Sequence, residues 1–148
     1  MENQETVITS DEKTLALVCH LSTLVGGILV PIIIWAIKKS ESKFVRYHAL
    51  QSIFFHIAFG VIIALLIIVT AVTIVLTGAG FQSLGSHGSA GMPVILLIVI
   101  FAFTGIVILM AFGGIGYAIY LAIKSYQGEK IRIPVIGKMV YEKVYGKE

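Results

Sequence analysis

The sequence predicts an all-α, polytopic helical membrane bundle, and three observations carry that prediction. Of 148 residues, 57% are hydrophobic and only 13% are charged, whereas ordinary soluble domains carry about 25% charged residues. Several apolar runs exceed the roughly 18 residues that mark a bilayer span. The lysines and arginines gather at the ends of those runs, which suits anionic lipid headgroups better than nucleic acid as the partner of a net charge of +3. Three long transmembrane helices and a short amphipathic C-terminal helix are expected, with a fourth segment if the last run breaks between Gly113 and Gly116.

Residues 1–9, acidic and without apolar periodicity, read as a disordered N-terminus. Thr9 and Glu12 have the spacing of a capping box, in which each side chain satisfies a backbone donor of the first turn, so a helix is expected to begin near Ser10. Residues 14–37 form an uncharged run of 24 residues, about 36 Å long as a helix and sufficient to cross a core of about 30 Å. This is the first expected span. Pro31 predicts a kink, because proline lacks the amide hydrogen and crowds the preceding turn, and Trp35 occupies the place of an interfacial anchor. Cys19, the single cysteine, lies within this run and reads as a small buried hydrophobe.

Residues 38–52, KKSESKFVRYHALQS, are a polar island between two apolar runs. Ser42 fits an N-cap. The second helix is expected over residues 43–76, with Arg46 reaching into the interface, and the glycine-rich residues 78–91 read as a helix stop and flexible linker. Residues 92–123 form the third uncharged run. It reads as one long helix, or as two segments parted at Gly113, Gly114 and Gly116. Gly114, Ala118 and Ala122 recur at four-residue spacing, which lets another helix approach closely. Gly128 is expected to cap that helix. In the basic tail over residues 129–148, Ile136, Met139, Val140 and Val144 fall on one face, the pattern of a helix lying on the membrane surface, with Pro134 at an early helical position.

Lys and Arg number one before the first run, four in the first loop, none in residues 78–91 and six from Lys124 onward. The positive-inside rule then places the first loop and the tail on the cytoplasmic side, residues 78–91 outside and, with three spans, the N-terminus outside.

The sharpest polar constellation is His20 with Arg46, His48, Gln51, Ser52 and His56. Residues 48, 52 and 56 drift only about 40° per four residues around a helix, so they form one stripe. Such groups at membrane depth either mark a conduction or substrate path or bond helices to one another; a metal site is a third reading. No HExxH-like histidine pair and no carboxylate accompanies the histidines, so no metal ligand set and no cofactor is assigned. Ser22 and Ser52 lack an intramembrane carboxylate to orient a base, so no catalytic residue is assigned either. His87, within the glycine-rich segment, reads as solvated.

The pattern Ala16-x-x-x-His20-Leu21-Ser22, Pro31 with Trp35, Lys38-Lys39, then FVRYHALQS over residues 44–52, and finally Gly128 with Ile133-Pro134 resembles the Tic-twenty-like family of small prokaryotic membrane proteins. That resemblance implies an all-helical domain related to the chloroplast inner-envelope protein import component and carries over no catalytic residue. The expected function is a non-enzymatic scaffold or assembly component linked to protein translocation or membrane biogenesis. The alternatives are a small pore or transporter using the polar stripe and a metal-binding membrane enzyme. The expected partners are the bilayer with its anionic headgroups and a second copy or another membrane protein, with no nucleic acid.

Overall fold

The computed structural model describes residues 7–25, 27–84 and 94–146. They form five helices: α1 (Ser10–Val25), α2 (Leu29–Lys38), α3 (Lys43–Leu84), α4 (Val94–Tyr126) and α5 (Ile136–Tyr145). The fold is all-α. Among the described residues two helices, not three, are long and apolar enough to cross a bilayer, through residues Lys43–Leu76 of α3 and Leu97–Tyr126 of α4.

The expected first span is two short helices. Gly27 takes φ +55°, a left-handed conformation open to glycine at little cost, and its N–H reaches back to the Ser22 carbonyl at 2.7 Å. The chain turns there. At 1.5 Å per residue, α1 is about 24 Å long and α2 about 15 Å, each short of a bilayer core. Pro31 does not kink a continuous helix; it lies in the first turn of α2, where its missing N–H would have had no partner. The turn brings the start of α1 back to the end of α2, where the Glu12 carboxylate meets the Ser42 hydroxyl and the charge of Lys38.

The two predicted N-terminal signals form as expected. Glu12 accepts from the Thr9 N–H at 2.8 Å, and the Thr9 hydroxyl accepts from the Glu12 N–H at 3.3 Å, which is the reciprocal arrangement of a capping box. Ser42 Oγ accepts from the Val45 N–H at 3.1 Å and caps α3. That helix continues through Gly78 and Gly80 to Leu84, past the expected stop, because glycine alone does not end a helix in apolar surroundings. His87 lies outside the described residues. The third run is a single helix without a break at Gly113–Gly116, so the four-segment alternative falls. Gly128 (φ +87°) ends α4 as expected, its N–H on Ser125 O at 3.0 Å and that of Glu129 on Lys124 O at 3.2 Å, the paired bonds of a Schellman motif.

Two compact units divide the chain: residues 1–58 with 115–148, and residues 59–114. In the first unit Ala16, Cys19, Phe44, Val45, Ala49, Ala118, Leu121 and Ala122 are buried. Tyr47, Leu50, Val140 and Val144 form an adjoining cluster, with Trp35 and Phe54 packed against it. The inward face of α5 is thus Gly137, Val140 and Val144, while Met139 is half exposed. Pro134 precedes α5 rather than opening it, and Val135 between them has φ 66°, a strained conformation for a β-branched residue. In the second unit the surface is apolar: Val61, Leu65, Ile68 and Val72 are all about half exposed, as suits side chains whose solvent is lipid. There Gly114 makes room for Phe59, whose ring atoms lie 2.5 Å from where a Cβ on Gly114 would stand.

Candidate functional site

The polar residues of α3 face two neighbours, with His48 and Ser52 of the expected 48, 52, 56 stripe together on one side. Residues 47 and 51 turn to the segment before α5; residues 48 and 52 turn to α1. Gln51 Nε2 donates to the Ile131 carbonyl at 2.9 Å, and Gln51 Oε1 accepts from the Ile133 N–H at 2.9 Å. The Tyr47 hydroxyl donates to the same Ile131 carbonyl at 2.9 Å. An extended segment has no regular partner for its amides, and here two side chains supply one. Tyr47 was not among the predicted site residues; its four-residue spacing from Gln51, which puts both on one helix face, was the available signal.

On the other side, His20 Nε2 and His48 Nδ1 are 3.2 Å apart, one donating to the other. Both residues are buried. The rings meet edge-on at 5.4 Å, and the Phe44 and Tyr47 rings flank His48 at 4.6 and 5.2 Å. Ser52 donates to the Cys19 carbonyl, taking up a backbone acceptor of α1. His56 Nδ1 donates to the Ser52 carbonyl at 2.7 Å, within its own helix. The Nε2 atoms of His48 and His56 are buried and have no hydrogen-bond partner among the described residues. No set of three or more His, Cys, Asp or Glu side chains converges among the described residues.

Arg46 stands apart from these contacts. It is partly exposed and lines an open trough with Lys13, Lys39, Lys43, Lys130 and Tyr145. Two of the three acids there are engaged: Glu41 pairs with Lys38, and the Ser42 hydroxyl, opposed in part by burial, holds the Glu12 carboxyl below its usual range. Burial pushes the Tyr145 phenol up to about 12, and Lys130 sits 5.0 Å from the centre of its ring. Ala118 and Ala122 are buried in the first unit and Gly114 packs in the second.

A family model described as the magnetosome magnetite crystal formation protein family, MamF/MmsF, matches residues 11–140. The chain belongs to that family. The match runs from the first turn of α1 to the buried Val140 of α5, so it takes in every element that builds the site. It also overturns the resemblance to the Tic-twenty-like family, and with it the expected link to protein translocation. Of the residues that suggested that link, Tyr47, His48, Gln51 and Ser52 are bound up in joining α3 to α1 and to the tail, a task set by helix packing and not particular to import. Neither a curated protein nor a solved structure matches this MamF/MmsF member.

Proposed function

We propose that the protein is a non-enzymatic scaffold of the magnetosome membrane that takes part in magnetite crystal formation. The observation that carries this reading is the use made of the polar side chains: Gln51 and Tyr47 hold the backbone of residues 131–133, and His48 and Ser52 hold α1. Hydrogen-bonding groups spent on joining elements fit a rigid membrane-anchored platform. The family supplies the process, and the helices supply the anchor.

In this reading α3 crosses the membrane and α4 returns. The first loop and the tail stay cytoplasmic, as the distribution of Lys and Arg favours. The N-terminus joins them on that side, because α1 and α2 double back at Gly27 instead of crossing. A reporter fused after Gly85 should therefore be active only outside the cytoplasm, and one fused before Ser10 only within it.

The functional test is deletion and complementation in a cell that forms magnetosomes. A fluorescent fusion should lie with the crystals, and deletion should alter their size or number, with restoration by the wild-type chain. A fusion spread evenly through the cytoplasmic membrane, with crystals unchanged on deletion, would overturn the proposal.

A further inference from the structure

The trough beside Arg46 lies where α3 begins and α4 ends, which in a membrane-embedded chain is the level of the lipid headgroups. Six Lys or Arg and three Asp or Glu line it, so its charge is positive. The cations differ in how far they are committed. Lys38 pairs with Glu41, and Lys39 lies over the Trp35 ring, 5.2 Å from its centre. The Lys13 ammonium lies 3.7 Å from where a Cβ on Gly128 would stand, against the C-terminus of α4, whose free carbonyls attract a cation.

Lys130 lies over the Tyr145 ring, 5.0 Å from its centre, so of the six Lys43 and Arg46 are left. Among the described residues neither makes an ion pair. Both belong to the first turn of α3, whose positive end favours an anion even though Ser42 already takes the Val45 N–H. An arginine fork beside a lysine, at a helix N-terminus, matches the geometry and charge of a phosphate. The trough holds about 1740 Å³, more than the roughly 300–1,000 Å³ of an enclosed small-molecule pocket. It is open enough to admit a headgroup whose acyl chains remain in the bilayer.

We propose that this trough binds the phosphate of an acidic phospholipid headgroup, with Lys43 and Arg46 as its principal contacts. The inference rests on the membrane embedding of α3 and α4 and not on a role in crystal formation, so it stands or falls separately. The lipid would tie the trough face of the first unit to the cytoplasmic leaflet and select membranes rich in anionic lipid.

The test uses the full chain in lipid discs of phosphatidylcholine containing phosphatidylglycerol, with retained phosphatidylglycerol counted by native mass spectrometry. The Lys43→Gln, Arg46→Gln double variant should bind it about tenfold or more weakly, the size expected for two cations at a membrane surface. The Lys138→Gln, Lys143→Gln variant, with the same charge change on α5, should bind as the wild type does. Equal losses in both would reduce the effect to bulk charge, and no loss in the first would remove the site; either overturns the proposal. Inorganic phosphate, titrated against discs of phosphatidylcholine alone, should not saturate the trough at millimolar concentration. Saturation there would assign a free anion and overturn the lipid assignment. Should the double variant fail to fold, Arg46→Gln and Lys138→Gln give the same decision: the first should lose lipid and the second keep it, and an equal result in both, whether retention or loss, would sink the site.

Discussion

The side-chain amide of Gln51 and the backbone N–H of Ile133 meet at 2.9 Å, while the other end of the same amide holds the Ile131 carbonyl. Gln51 thereby presents to the tail the donor and acceptor that a neighbouring strand would present. Its loss leaves the Ile133 N–H buried without a partner, which costs about 1–3 kcal/mol. Gln51→Leu should therefore speed hydrogen exchange at Ile133 by roughly thirtyfold, the equivalent of about 2 kcal/mol. Unchanged exchange at Ile133 would show that the tail docks by apolar contact alone.

The turn into α5 should respond in opposite directions to two substitutions two residues apart. A Cβ on Gly137 would stand 2.6 to 2.8 Å from Cα, C and Cβ of Arg132, and backbone cannot move aside as a side-chain tip can. Gly137→Ala should loosen the tail by about 1–3 kcal/mol and admit trypsin at Lys130 and Arg132. Val135 (φ 66°) carries strain of about 1–3 kcal/mol, part of which glycine would relieve, so Val135→Gly should slow the same cleavage. Faster cleavage in both variants would contradict this account.

In the second unit, Gly114→Ala should destabilise the contact with Phe59 by about 1–3 kcal/mol. Phe59→Leu in the same chain should recover part of the loss, since a smaller group no longer meets the new methyl. The check is a double-mutant cycle on unfolding midpoints in lipid discs. Additive effects would mean that the ring has moved elsewhere.

The start of α1 should weaken in acid. Ser42 stabilises the charged form of Glu12, which holds its carboxyl below the usual range. A depressed value means that the folded state binds its proton less readily than the unfolded state, so the stabilisation is full above the ordinary carboxylate value and is lost as pH falls through the lowered one. Hydrogen exchange at Thr9 and Glu12, corrected for its intrinsic pH dependence, should rise on acidification below about pH 4, and Glu12→Gln should remove that rise. A wild-type profile as flat as the variant's would refute the link.

What the sequence revealed and what it hid divide along physical lines. Local signals were legible: Thr9 with Glu12, Ser42 and Gly128 act through bonds within five residues. The long helix through Gly113, Gly114 and Gly116 was also favoured correctly, since glycine is common in membrane helices. The turn at Gly27 was hidden because hydropathy is blind to a reversal between two apolar helices, and Pro31 drew attention to the wrong residue. The six polar candidates were found as residue types, but that Gln51 holds the tail while His48 and Ser52 hold α1 depends on partners 80 residues or 28 residues away, which periodicity along one helix does not encode.

His20 and His48 decide between a scaffold and a conducting path. Each depends on the other for a hydrogen bond in a buried place, so removing one leaves an unsatisfied nitrogen at a cost of about 1–3 kcal/mol, whereas replacing both by apolar groups of similar size is close to neutral. His20→Leu alone should therefore lower the unfolding midpoint, and adding His48→Leu should bring much of it back. A protein that works as a scaffold needs only the fold, so the double variant should complement a deletion better than the single one. A path that moves protons or ions through the pair would show the reverse in complementation, because the double variant would be stable and inactive. Measuring stability and complementation on the same three chains separates the two, and a stable double variant without function would withdraw the scaffold assignment.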